Sequence, residues 1–208
     1  MHSPLALIHA VTILNDIMDI QISFCKIVIS IAKSDEVSRE NFIRFHIQEP
    51  LIKLILKQHS EISKLACITI KELCVKEYDI KCLCETTIYH HHNISNNNNN
   101  SNNNNNQQIN NNNYNYTLID SIIALLDAIP NDIKIQIEGL RILVIINQYH
   151  PDIIISIRKI SFFQILKKTR KFLNNTIKTK QIPSDYDIKD IENLLDSQLW
   201  NKEKCIIS

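Results

Sequence analysis

The residues best suited to metal chemistry lie just before an asparagine-rich tract. Cys74, Cys82 and Cys84 precede a run of three histidines at positions 90–92. A structural zinc site needs four converging ligands, commonly at C-x2–4-C and H-x3–5-H spacings. The Cys-x-Cys spacing departs from that pattern, and the histidines adjoin low-complexity sequence. We therefore predict no metal site and interpret Cys67 and Cys74 as small core residues.

Sequence features that mark an enzyme or a cofactor site are lacking. The chain has 208 residues and one glycine, whereas phosphate-binding loops, dinucleotide-binding turns and nucleophile elbows depend on glycines. A cysteine or serine nucleophile would need a base and an orienting third group. Four scattered histidines lie instead at predicted helix ends or surfaces: His9, His46, His59 and His150. We predict a non-enzymatic protein without a cofactor.

A third candidate for chemistry is a basic run near the C-terminus. Charged residues from 158 to 180 are all basic, and four form one face of a predicted helix: Lys167, Lys168, Arg170 and Lys171. Such a face can bind an acidic peptide, RNA or anionic lipid, or simply be solvated. Because aromatic residues do not alternate with the basic ones, acidic-protein binding is favoured over nucleic-acid recognition. The acidic residues that follow could fold back and neutralise this face: Asp185, Asp187, Asp190, Glu192 and Asp196.

Composition predicts a helical protein in a reducing compartment. The chain carries 23 Lys+Arg against 22 Asp+Glu, with 44% hydrophobic residues, six Cys and five Pro. Scarce Gly and Pro disfavour a sandwich or barrel. No uncharged apolar stretch reaches the roughly 18–20 residues that span a bilayer, and the N-terminus lacks the basic region of a secretory signal. We predict a cytoplasmic, or cytoplasmic and nuclear, protein with reduced thiols and no membrane association.

An asparagine-rich tract divides the chain into three parts. Residues 90–116 consist largely of His and Asn, and such polar sequence cannot offset an ordering entropy of roughly 1–2 kcal/mol per residue. We predict helical units at 1–89, a disordered Asn-rich insert at 90–116, and further helical units with a capping helix at 117–208. A tolerated surface loop is the favoured interpretation of the insert, and a role in self-association is the alternative.

Apolar residues outside the insert recur at helical spacing. One predicted face contains Ile62, Leu65, Ala66, Ile70, Leu73 and Cys74. Isoleucine favours strands, but the period indicates helices, so we expect an all-α fold. Pro50 suits the first position of a helix, Asp132 suits an N-cap, and Pro151 is expected to end the helix that Asp132 starts.

The order of these predicted helices resembles an armadillo repeat. Residues 34–76 contain a short polar-led helix with Asp35, Asn41, Phe42 and Ile43. A second helix follows with Pro50-Leu51-Ile52-Lys53-Leu54-Ile55, and a third with Ala66, Thr69, Ile70 and Leu73. Residues 118–126 repeat the second-helix pattern, and the third recurs in Gly139, Ile142, Leu143 and Ile146. The small residues Cys25, Ala66 and Gly139 recur after 41 residues and, without the 27-residue insert, after 46, as in armadillo and HEAT units of about 40–47 residues.

The resemblance implies a right-handed armadillo- or HEAT-type helical solenoid of about four units. Its units would cover 5–33, 34–76, 77–149 and 150–173, with a capping helix near 188–200; another all-α packing is the alternative. It also implies a partner-binding groove along the third helices, with candidate residues Lys64, Lys71, Glu72, Arg141 and Ile145. Family members that bind extended peptides often place an Asn on this helix, but Glu72 and Ile145 stand there, so that binding mode is not expected.

The predicted function is protein–protein interaction, as an adaptor or scaffold whose partner presents an acidic segment. The alternative is a nucleic-acid-binding helical repeat that uses the basic face at residues 167–171. Both are expectations from fold analogy and charge.

Overall fold

A computed structural model of the chain describes residues 3–85, 87–90, 114–157, 160–197 and 199. These residues are predominantly helical, which confirms the all-α class. The helices are α1 (Pro4–Ile13), α2 (Met18–Ser34), α3 (Glu36–Arg44), α4 (Gln48–Leu56), α5 (Ser60–Leu73), α6 (Glu77–Glu85), α7 (Leu118–Ala128), α8 (Ile133–Tyr149), α9 (Pro151–Ile157), α10 (Ile160–Lys178) and α11 (Ile188–Leu195). Within these ranges no helix is both long and apolar enough to cross a membrane.

Helices that hold the same place in successive predicted units pack side by side. The predicted third helices α2, α5 and α8 contact one another in that order, and the second helices α1, α4 and α7 do the same. The first helix α3 contacts α6. Helix α10 packs on α7 and α8, and α11 packs on α8 and α10. One hydrophobic core runs between these rows of helices.

The helix ends follow from local chemistry. The Asp132 carboxylate accepts hydrogen bonds from the backbone N–H groups of Lys134 and Ile135, at 3.0 and 3.2 Å, which confirms the predicted N-cap. Helix α8 ends directly before His150, and Pro151 begins α9. The prediction for Pro50 is wrong, because α4 begins at Gln48 and Pro50 is its third residue. Proline is tolerated there because the first-turn N–H groups have no intrahelical acceptor.

The one glycine lets α8 approach α7 closely. A Cβ atom at Gly139 would lie 2.9 Å from Leu126 Cδ2 and 3.3 Å from Leu126 Cγ. The corresponding small residues Cys25 and Ala66 are fully buried in α2 and α5. Small side chains at these positions therefore allow the close helix packing that the sequence pattern predicted, and larger ones would displace α7.

A two-stranded ribbon lies at the two ends of the segment predicted as a disordered insert. Strand β1 (Thr87–His90) pairs antiparallel with β2 (Tyr114–Thr117), with Ile88 opposite Tyr116. Residues 90 and 114–116, which fall within the predicted insert, are therefore strand residues in the structure. Aromatic and β-branched residues at these positions favour cross-strand pairing. The Asn-rich stretches themselves, between 91 and 113, lie outside the described residues.

Helix α10 has the amphipathic character expected from its sequence. Its buried residues include Phe162, Ile165, Leu166, Thr169 and Leu173, and Phe172 is half-buried. The four residues of the predicted basic face are all exposed. Helix α11 ends at Leu195, earlier than the predicted capping helix, and buries Ile191 and Leu195 against the core.

Candidate partner-binding surface

The five predicted groove residues lie on α5 and α8, which pack directly against each other. Lys64, Lys71 and Glu72 belong to α5, Arg141 and Ile145 belong to α8, and all five are half-buried. Arg141 and Ile145 are four residues apart and so share one face of α8. We call the outward faces of α2, α5 and α8 the third-helix surface.

An ion pair connects α2 to α5 on this surface. The Glu72 carboxylate lies 3.8 Å from Lys33 Nζ and 3.2 Å from Lys71 Nζ. Because Lys33 belongs to α2, its ion pair with Glu72 connects α2 to α5. The second ion pair, with Lys71, lies within α5. The predicted groove residues Lys71 and Glu72 therefore lie where α5 meets α2, between two of the predicted units.

A buried carboxylate lies beneath the α8 part of the surface. Glu138 has a side chain only 3% exposed, and its Oε1 accepts a hydrogen bond of 2.8 Å from Arg141 Nη1. The other oxygen, Oε2, is buried without a hydrogen-bond partner among the residues that the structure describes. Leaving such an acceptor unsatisfied is costly, on the order of 1–3 kcal/mol. Glu138 Oε2 can therefore accept a hydrogen bond from a donor that reaches this depth.

The C-terminal segment packs across the same part of α8. Asp185 Oδ2 lies 2.7 Å from Lys134 Nζ, and Asp190 Oδ2 lies 3.7 Å from Arg141 Nη2. Between these ion pairs the Tyr186 ring lies 5.3 Å from the Arg141 guanidinium and 6.0 Å from Lys134 Nζ, within the range of cation–π attraction. Residues 185–190, which we call the acidic latch, thus contact α8 through charge and an aromatic ring.

The electrostatics of the acidic latch agree with this geometry. The hydrogen bond from Lys134 lowers the pKa of Asp185, and the positive charge of Lys64 acts in the same direction. Burial raises the pKa of Tyr186, and the Glu138 carboxylate raises it further through its negative charge and a hydrogen bond with the Tyr186 hydroxyl. Lys64 therefore belongs to the same electrostatic neighbourhood as Lys134 and Arg141, although it lies on α5.

Sequence analysis missed three members of this arrangement: Lys134, Glu138 and Tyr186. The first two share a face of α8 with Arg141, because residues 134, 138 and 141 follow the i, i+4, i+7 spacing. That spacing was the available signal. Tyr186 gave no comparable signal, because its contact with α8 depends on how the C-terminal segment packs.

The basic face lies apart from the third-helix surface, on α10. Lys167 and Lys171 are exposed without an ion-pair partner among the described residues, and Lys168 Nζ lies 3.3 Å from Asp127 Oδ1 of α7. The acidic residues Asp185 and Asp190, expected to neutralise this face, pair instead with α8. The physical reason is that α11 continues beside α8, which directs the acidic latch towards Lys134 and Arg141.

Four of the described cysteines are core residues: Cys25, Cys67, Cys74 and Cys84. Burial raises the pKa of the Cys25 thiol to about 11 and that of Cys84 to about 12. It raises the pKa values of Cys67 and Cys74 as well. In the part of the chain that the structure describes, no group of three or more His, Cys, Asp and Glu residues could hold a metal ion. His91 and His92 lie outside that part.

A cleft of about 550 Å³ lies between α3 and α6, among the first helices. Asp79 lines it and lies 3.7 Å from Nε of Arg39, and both side chains are nearly fully buried. Burial raises the pKa of Asp79, against the opposing effects of the Lys76 backbone N–H and the Arg39 charge. The buried ion pair connects α3 to α6, so its role is structural.

The chain matches no known protein family, no curated protein and no solved structure. The assignment of chemistry therefore rests on the surfaces described above.

Proposed function

We propose that this protein is an adaptor or scaffold built on an armadillo-like, right-handed solenoid of about four units. The units would comprise α1–α2, α3–α5, α6–α8 and α9–α10, with α11 as the capping helix. The observation that carries the proposal is the side-by-side packing of α2, α5 and α8, which forms one continuous surface across three predicted units. Stacked repeats of this kind use such extended surfaces for binding.

The chemistry of the third-helix surface suits a protein partner. It combines half-buried apolar residues with charged ones, as protein interfaces do. Applying the spacing of the small residues aligns exposed Ile27 of α2 with half-buried Ile68 of α5 and with Arg141 of α8. The charge of Lys64 and Arg141 favours a partner with an acidic segment.

A non-enzymatic role is supported by the state of the buried thiols. Catalytic cysteines have lowered pKa values, whereas burial raises those of Cys25, Cys67, Cys74 and Cys84. The location proposed with this role is cytoplasmic, or cytoplasmic and nuclear.

The proposal is tested by site-specific photocross-linking in the cell that makes the protein. A photoreactive residue replaces Ile27, Ile68 or Ile145 on the third-helix surface, and Val37 or Tyr78 in control variants. The control positions on α3 and α6 are 66% and 71% exposed, against 42% for Ile27, so random encounters favour the controls. We expect a discrete protein cross-linked several-fold more strongly at the third-helix positions. Equal yields at all five positions would contradict the proposal.

The same experiment addresses the nucleic-acid alternative. A probe at Lys171 on α10 would cross-link to RNA or DNA if the basic face binds a phosphate backbone, and the yield would fall steeply with salt. Reversing the charges of Lys167, Lys168 and Arg170 would abolish that cross-link and leave the protein cross-links at Ile27 and Ile68 intact. Loss of the protein cross-links in this variant would move the binding site to the basic face.

A further inference from the structure

The contact between the acidic latch and α8 has the composition of a recognition site. Lys134, Arg141 and Lys64 supply positive charge, and the Tyr186 hydroxyl interacts with the Glu138 carboxylate, whose buried Oε2 makes no hydrogen bond of standard geometry with the described residues. Packing of the acidic latch against α8 would not by itself require a buried carboxylate oxygen at this position. A buried, unsatisfied carboxylate oxygen beside two cations favours a ligand that carries both acidic groups and a hydrogen-bond donor.

We propose that this part of α8 binds an acidic protein segment with a tyrosine between its carboxylates, and that the acidic latch occupies the site in the free chain. The inference rests on the adaptor function proposed above and identifies its partner chemistry. Asp185, Tyr186 and Asp190 represent the two carboxylates and the ring that such a partner would present. Its tyrosine hydroxyl would donate to Glu138 Oε2.

The acidic latch is built so that a competing segment can replace it. The side chains of Asp185 and Asp190 are 54% and 60% exposed, and exposed ion pairs contribute little stability. No regular secondary structure is formed from Gln181 to Asp187. The anchors of α11 are Ile191 and Leu195, further along the chain. The contacts at 185 and 186 can therefore open while α11 stays packed on α8, and the exposed Asp190 side chain can turn away from Arg141 without displacing the buried Ile191 and Leu195.

Displacement follows mass action. The acidic latch is part of the same chain and therefore competes as a ligand at high effective concentration. The partner's apparent affinity is its intrinsic affinity multiplied by the fraction of chains whose site is open. Weakening the acidic latch should therefore strengthen binding of an acidic peptide supplied in solution. Removing Arg141 should abolish that binding.

The test uses the full chain and a fluorescein-labelled peptide with the sequence of residues 181–192. Fluorescence anisotropy compares the natural chain with an open variant that combines Asp185→Asn, Tyr186→Ala and Asp190→Asn. We expect the open variant to bind the peptide at least ten-fold more tightly than the natural chain. Adding Arg141→Glu to the open variant should return binding to background. A peptide carrying the same three substitutions serves as the negative control.

Circular dichroism tests whether each variant is folded. If the triple variant unfolds, the single variant Asp185→Asn, which keeps Tyr186, weakens the contact of the acidic latch with α8 to a smaller extent. A folded open variant that fails to bind the peptide would overturn the inference. Equal binding by the natural chain and the open variant would do so as well. Cross-linking at Ile27 and Ile68, which belong to α2 and α5, tests the adaptor function separately, so the two failures are distinguishable.

Discussion

The two ends of the helical array differ in what they expose. Helix α1 is largely apolar, with His9 and Thr12 as its polar residues, yet only Ile8 and Val11 are buried and Ile13 is 77% exposed. At the other end α11 buries Ile191 and Leu195 and turns charged residues to solvent. In the solenoid proposed above, the terminal units would need a polar outer face. Helix α11 has a charged outer face, whereas α1 presents an apolar surface of the kind that marks contact sites.

The largest expected effect comes from the same substitution at the two ends. Ile191→Ala should lower the free energy of unfolding by about 2–5 kcal/mol, because it leaves a cavity under α11. Ile13→Ala should change it by less than about 0.5 kcal/mol, because the side chain is mostly in water. Urea unfolding followed by circular dichroism measures both. Similar losses at 13 and 191 would mean that α1 is covered in solution and that the two ends are equivalent.

A smaller effect is expected from the helix caps. The Asp187 carboxylate accepts a hydrogen bond of 2.9 Å from the Lys189 backbone N–H at the start of α11. Ser3 stands at the same position before α1 but makes no side-chain cap. Asp187→Ala should therefore cost about 0.5–2 kcal/mol, and Ser3→Ala should leave the unfolding midpoint unchanged. A measurable loss for Ser3→Ala would show that α1 is capped after all.

A pH dependence of stability is also expected, and Cys67, Cys74 and Cys84 contribute to it in the same direction as Cys25. Burial raises the pKa of Cys25 in α2 from about 9 to about 11, so in that interval the unfolded chain releases a proton that the folded chain retains. Stability from this group is complete below pH 9 and is lost as pH rises through 11. Tyr186 adds a further loss of stability, which begins as pH rises past its ordinary pKa of about 10.

Urea midpoints measured between pH 8 and 11 test this dependence. Cys25→Ala should reduce the slope from pH 9 upward, and Tyr186→Phe should reduce it only from about pH 10. An unchanged slope in Cys25→Ala would mean that its thiol is accessible to water.

Much of the helical architecture could be predicted from the sequence, because period 3.6 is a local signal that survives an isoleucine-rich composition. The start of α8 at the capping side chain of Asp132 was predicted correctly. The start of α4 was not, since proline is tolerated anywhere in the first turn and does not fix the first residue. The ribbon was missed because its four-residue strands adjoin low-complexity sequence and pair across more than 20 residues.

The candidate surface was predictable only in part. Lys64, Lys71, Glu72, Arg141 and Ile145 followed from the repeat alignment, and the structure places them on neighbouring helices. The pairing of Lys134 with Asp185 spans 51 residues, and no local pattern encodes a contact of that range. The direction of the C-terminal segment depends on where α11 packs, which is a property of the tertiary structure.

The ribbon has a consequence for how this gene can vary. Because His90 lies opposite Tyr114, the chain leaves the helical array and re-enters it at one place. Changing the number of residues between these two positions therefore need not alter the distance between the end of α6 and the start of α7. A tract of repeated codons can lengthen or shorten between lineages at this point while selection on the helices remains unaffected, and a reporter domain could be inserted there for the same reason.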